Sequence, residues 1–255
     1  MQKSKIEWCD STWNPVTGCL HGCEYCYARR IAARFGHHHH EDGTNHYLGE
    51  PMAYTPLGKD ERIDPYPFSF DPTFHSYRLC EPCHHRGQNI FVCSMADLFG
   101  EWVPDGWIAK VLDACLDSPQ NRYLFLTKNP SRYMELAEAG MLPEYENFWY
   151  GSSVPTSETP FWWSDRHNTF ISIEPMLEEF PTGDGSPVGK VKWVIMGAMT
   201  GPGSNRHQPK REWVESLARD AQVAGVPVFM KDSLIPFVSE AYWRRDFPWE
   251  EVGRA

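Results

Sequence analysis

Cys19, Cys23 and Cys26 stand in the run Thr17-Gly18-Cys19-Leu20-His21-Gly22-Cys23-Glu24-Tyr25-Cys26-Tyr27-Ala28, a C-x3-C-x2-C spacing with an aromatic before the last cysteine. Three thiolates this close can hold three corners of a cubic 4Fe–4S cluster, because soft sulfur ligands suit iron–sulfur chemistry. A fourth cysteine would close the cube for electron transfer. Three leave one iron open to a substrate or a second cofactor. The competing readings are a structural zinc knot and incidental thiols. Zinc sites usually show two ligand pairs at C-x2–4-C spacing, and this run contains one.

A second metal-like run, Cys80-Glu81-Pro82-Cys83-His84-His85, has Cys93 and Cys9 as its nearest companions in type. The second half of a four-ligand site is not evident there, so this pair is expected to be free thiols in a loop. Cys93 lies in an apolar run, and Cys115 shares a helical pattern with Val111, Leu112 and Leu116; both read as buried small hydrophobes. The His37–His40 run is biased sequence in a loop. Arg29, Arg30 and Arg34, and later Arg206, Lys210 and Arg211, read as solvated faces or local basic grooves.

These side chains need elements to position them. Seven short apolar or β-branched runs recur: Ile6–Trp13, Asn89–Cys93, Tyr123–Leu126, Phe148–Gly151, Thr169–Ile173, Val191–Met196 and Val226–Met230. Helical patterns over Tyr27–Phe35, Asp105–Asp117, Pro130–Ala139 and Lys210–Ala224 lie between them, the last ending before Gly225. Strands alternating with helices predict parallel βα units. Polar residues gather where each run stops, as they do at the carboxyl ends of barrel strands. The expected fold is α/β: a partial parallel (β/α) barrel in a single domain over 1–255, its strand tips facing one site. Residues from about 36 to 88 read as an irregular insertion, and about 233–255 as a Trp- and Phe-containing tail packed back on the body.

Composition narrows the setting. The 255 residues suffice for one sizeable core, and 41% are hydrophobic. No apolar run approaches membrane-spanning length, so no membrane partner is expected. Met1–Trp8 carries no apolar secretory core. Eight cysteines without such a leader favour metal ligation over disulfides and a cytoplasmic location. Lys and Arg number 24 against 34 Asp and Glu, a net charge of −10, the wrong sign for a broadly electrostatic nucleic-acid binder.

The cysteine spacing resembles that of the radical SAM superfamily. The blocks Thr12–Cys19, Ser94-Met95-Ala96-Asp97-Leu98-Phe99, Leu126-Thr127-Lys128 and Ser172-Ile173-Glu174-Pro175 extend the likeness over about residues 6–232. Together they are similar to phage-associated radical SAM-like proteins catalogued as a domain of unknown function. The resemblance implies a barrel of that type, a 4Fe–4S cluster on Cys19, Cys23 and Cys26, and S-adenosyl-L-methionine bound through its amino and carboxylate groups at the open iron. One electron then releases a 5′-deoxyadenosyl radical, so a reductase or flavodoxin-type electron donor is implied as partner.

The resemblance also assigns roles. Tyr25 takes the place of the aromatic beside the adenine, with Trp13, Asn14 and Pro15 shaping the approach to the cluster. Ser94 and Asp97 follow the second strand, where the methionine amino group is contacted. Lys128 offers a point charge to the methionine carboxylate. Ser152 and Ser172 are candidates for ribose or carboxylate contacts, or strand caps. Glu174 and Lys231 are set to face the substrate and orient it or move protons. Many relatives carry Gly-Gly-Glu-Ser-Gly where this chain has Gly197-Ala198-Met199-Thr200-Gly201. Gly197 keeps the close backbone approach; the acid is replaced by Met199.

Three functions follow. The first is a radical SAM enzyme abstracting hydrogen from a nucleic acid or nucleotide, for modification or repair, with Trp and Tyr as stacking surfaces. The second acts on a peptide or small metabolite, which an acidic chain tolerates better. The third is a noncatalytic metal-binding module that recruits a partner.

Overall fold

In a computed structural model of the chain, residues 1–35, 50–56, 63–201 and 203–250 are described, and the His37–His40 run lies outside them. The chain divides into two compact units, Met1–Pro143 and Glu144–Ala255. Each of the seven apolar runs coincides in whole or part with a strand, and each helical pattern contains a helix.

The first unit holds β1 (Gln2–Lys3), β2 (Ser11–Trp13), β3 (Val16–Thr17), α1 (Tyr27–Phe35), β4 (Met52–Tyr54), β5 (Thr73–His75), β6 (Asn89–Val92), α2 (Asp105–Leu116), β7 (Arg122–Thr127) and α3 (Ser131–Glu138). β2, β6 and β7 pair in parallel, Thr12 opposite Phe91 and Phe91 opposite Leu124, and β1 folds back antiparallel on β2. Parallel pairing needs a crossover between strands, which α2 supplies between β6 and β7. Its buried residues Ile108, Val111, Leu112 and Cys115 follow helical spacing and form one stripe.

The stretch read as an irregular insertion is not wholly irregular. β4 and β5 lie within it, and β5 pairs with both β4 and β3, making a small three-stranded sheet next to the cysteine loop. Strands of two or three residues are too short to display alternation, so no periodic signal announces them. Cys80 and Cys83 flank and enter a short 3-10 turn at Glu81–His84, both exposed.

The second unit holds β8 (Phe148–Ser153), β9 (Asn168–Ile173), β10 (Trp193–Met196), α4 (Arg211–Ala224) and β11 (Val228–Met230), with all four strands parallel. Ile171, Ile173, Val194, Met196, Val228 and Met230 pack with Val214, Leu217 and Ala221 of α4. Phe170, Trp193, Ile195 and Phe229, the alternate strand residues, are also buried. Both faces of β10 and β11 are therefore covered, which explains their unbroken apolar sequence. Gly225, at φ +67°, ends α4 in the left-handed conformation that glycine adopts without strain.

The tail packs back, as its aromatics suggested. Arg245 bridges antiparallel to Phe229, so the tail covers the outer edge of β11. Phe247 and Trp249 close over Trp193, with ring centroids 5.8 and 5.3 Å away. The architecture is a mixed α/β one with mostly parallel strands, and neither four-stranded set closes on itself. No helix among the described residues is long and apolar enough to cross a membrane.

Candidate functional site

The cysteine loop starts where β2 and β3 end, and its backbone is tied to the tip of β6. Asn14 accepts through Oδ1 from the Ser94 hydroxyl at 3.2 Å and from the Met95 amide at 2.9 Å. The Gly18 amide donates to the Met95 carbonyl at 2.9 Å, and the Cys19 amide to Phe70 at 3.1 Å. Gly18 has φ +83°, and a Cβ there would stand 2.0 Å from the Asp71 carbonyl oxygen. Only glycine fits both the conformation and the space. The cysteines thus follow a fixed backbone corner.

Beyond the loop, α1 begins at once. Ala28 and Ala32, one turn apart, are its buried residues, and with Tyr66, Phe70 and Met95 they form an apolar wall against which Cys19 and Cys26 pack. The Arg29 side chain reaches back to the Cys19 carbonyl at 3.2 Å, while its amide points at the Cys26 sulfur at 3.4 Å. The Tyr27 hydroxyl donates to the Ser94 carbonyl at 2.6 Å. Cys19, Cys23 and Cys26 are half-buried free thiols.

Burial dominates the electrostatics of the loop. Burial pushes the Cys19 thiol up to about 12; the His21 backbone N–H lowers it in part, and Asp97, Cys23 and Cys26 raise it further. Lys128, at the end of β7, lies in the same field. Its ammonium donates to the Tyr25 hydroxyl at 2.9 Å and stands 5.0 Å from that ring's centroid. Burial lowers the Lys128 pKa, but the Tyr25 hydrogen bond, with Cys23 and Asp97 nearby, carries it above the ordinary lysine value. Lys128 is a retained positive charge facing the cysteine loop.

Asp97 is buried and heavily engaged. Its oxygens accept from the Thr127 hydroxyl at 2.8 and 3.0 Å, the Lys128 amide at 2.9 Å, the Phe99 amide at 3.0 Å and His21 Nε2 at 2.7 Å. Three of these five contacts come from the tip of β7, one from the loop after β6 and one from the cysteine loop. An incoming amine could reach this carboxylate only by replacing one of them. Thr127 and His21 were not singled out from the sequence. His21 had one available signal, its place between two of the cysteines.

The second unit gathers the remaining candidates. Lys231, just after β11, forms an ion pair with Glu174, just after β9. Gly197, just after β10, lies beneath it: a Cβ there would meet Glu174 Cγ at 3.0 Å and Lys231 Cδ at 3.3 Å. The missing side chain therefore makes room for the pair rather than for backbone approach alone. The Ser233 hydroxyl accepts from the Ala198 amide at 3.0 Å and fixes the turn. Ser152 and Ser172 lie inside β8 and β9 and are buried. The Ser152 hydroxyl accepts from the Trp162 amide at 3.1 Å and so shapes the following loop.

Among the described residues, no three His, Cys, Asp or Glu side chains converge on one ion position. Cys93 and Cys115 are fully buried, and burial raises both thiols.

The family described as "Protein of unknown function (DUF5131)" matches residues 3–235. No curated protein and no solved structure gives a significant match.

Proposed function

We propose that this chain, which belongs to that DUF5131 family of proteins of unknown function, is a radical SAM enzyme with a 4Fe–4S cluster on Cys19, Cys23 and Cys26. The observation that carries the reading is the cysteine loop itself. Three half-buried thiols follow a glycine corner, and the half-buried ammonium of Lys128 is held by Tyr25 from the same loop.

The donor set suits such a cluster on chemical grounds. Thiolates are soft ligands that suit iron–sulfur clusters, and binding one would displace the thiol protons. Each cysteine of a cubic cluster holds a different iron, so the three need not converge on one point as ligands of a single ion must. The wall of Ala28, Ala32, Phe70 and Met95 offers the apolar shelter that governs cluster potential and solvent access.

When bound, the cluster would supply one electron to S-adenosyl-L-methionine and so generate a 5′-deoxyadenosyl radical that takes hydrogen from a substrate. The chain's own residues would do the rest. Lys128 would pair its charge with the methionine carboxylate, and Tyr25 holds that ammonium in place. Ser94, fixed by Asn14, would present its hydroxyl to the amino group. Asp97 sets the positions of Thr127 and Lys128. Glu174 and Lys231 would orient a polar group of the substrate and exchange a proton with it. The electron would come from a reductase or flavodoxin-type protein.

A nucleotide or nucleic-acid strand is the first substrate class. The net charge of −10 favours a peptide or small metabolite as the second. The deciding experiment is anaerobic reconstitution with iron and sulfide, followed by dithionite and S-adenosyl-L-methionine. The reading predicts 5′-deoxyadenosine from wild type and none from Cys23→Ala. Iron-loaded wild type that yields no 5′-deoxyadenosine and binds no S-adenosyl-L-methionine would support a noncatalytic module instead.

A further inference from the structure

His21 lies in the cysteine loop between Cys19 and Cys23, and its side chain reaches Asp97 in the loop that follows β6. Its Nε2 meets Asp97 Oδ2 at 2.7 Å, and an ionised carboxylate can only accept, so His21 donates. Asp97 is 5% exposed and is itself held by Thr127, Lys128 and Phe99, so the acceptor cannot follow a wandering loop. The imidazole packs edge-on against Trp102, with ring centroids 4.8 Å apart and planes 79° apart. Gly100 makes space for that indole, since a Cβ there would stand 2.5 Å from its ring. The turn Asp97–Trp102 thus builds both a hydrogen-bond acceptor and an aromatic wall for one loop side chain. The backbone N–H of the same residue is directed at the Cys19 sulfur.

We infer that His21 is a positioning residue: by anchoring to Asp97 and Trp102 it fixes the Cys19–Cys23 segment before any metal is bound. This deepens the cluster reading, but it concerns the metal-free chain and can be tested there. A hydrogen bond to a buried charged group is worth roughly a tenfold to hundredfold change in an equilibrium. Opening of the segment should rise by that factor when the anchor is cut. His21→Gln can place an amide N–H near the position of Nε2 and should recover part of the anchoring.

The experiment is alkylation of the full-length, metal-free, reduced protein with iodoacetamide, followed by mass spectrometry of each cysteine. Cys80 and Cys83 are exposed and serve as the internal reference. His21→Ala should raise the rates at Cys19 and Cys23 by about tenfold or more relative to that reference. His21→Gln should fall between the variant and wild type. A general rise that includes buried Cys115 would report unfolding, and His21→Gln alone would then decide, with a selective rise at Cys19 and Cys23 of less than about threefold expected. Wild-type labelling of Cys19 and Cys23 in His21→Ala, or failure of His21→Gln to slow them, would overturn the proposal. Iron loading of wild type, measured in parallel, tests the cluster reading separately.

Discussion

Lys128 is the residue on which the proposed cofactor contact turns. Burial pulls an ammonium toward its neutral form, and this half-buried one is carried the other way by the Tyr25 hydroxyl and the acidic groups around it. Its removal should therefore delete a charge-assisted contact and leave the cysteines in place. Lys128→Ala should weaken S-adenosyl-L-methionine binding about tenfold to a hundredfold, from the roughly 1.5–3 kcal/mol that such contacts carry. Iron content should remain at the wild-type level. Anaerobic calorimetry giving wild-type affinity would remove Lys128 from the cofactor's carboxylate.

The elements were largely legible because their residues repeat. α1 follows the cysteines over Tyr27–Phe35 as its pattern indicated, and β9 extends Thr169–Ile173 by one residue. Lys128, Glu174 and Lys231 stand out in the sequence because each is a polar residue at the end of an apolar run. The candidate site was not legible where contacts join segments distant in sequence. Nothing local says that Asp97 would receive His21, 76 residues away, or that Gly197 would make room for an ion pair. The small sheet of β3, β4 and β5 escaped notice because its strands hold two or three residues each. The corner into the cysteine loop gives the element-scale prediction. At φ +83° an alanine costs about 1–2 kcal/mol, and its Cβ would also collide with the Asp71 carbonyl. Gly18→Ala should lower unfolding free energy by at least about 2 kcal/mol in urea titrations. Gly106→Ala in α2, where a Cβ meets nothing within 4 Å, should be neutral or stabilising by a few tenths. Equal effects from the two would refute the role given to the corner.

At the scale of the whole chain, stability should carry an acid dependence set by His75. This side chain is 0% exposed, with the Thr17 hydroxyl 2.8 Å from Nε2 and the Tyr77 hydroxyl 3.3 Å from Nδ1. Burial, helped by the positive charge of Arg78, lowers its pKa from 6.5 to about 3. The folded chain therefore holds His75 neutral while the unfolded chain protonates it below about 6.5. The stabilisation is fully present above that pH and is lost as pH falls toward about 3, at roughly 1.4 kcal/mol per unit. Between pH 7 and pH 5, wild type should lose about 2 kcal/mol more than His75→Gln in urea unfolding. Parallel pH profiles for the two proteins would show that His75 accepts a proton in the folded state. Iron and acid-labile sulfide analysis, with electron paramagnetic resonance, on anaerobically reconstituted wild type and the Cys19→Ala/Cys23→Ala/Cys26→Ala variant decides whether these cysteines hold a cluster. Wild type should hold about four irons and four sulfides per chain, with a reduced-cluster signal, and the variant should show neither. Equal iron, sulfide and spectra in both proteins would contradict a cluster on these cysteines.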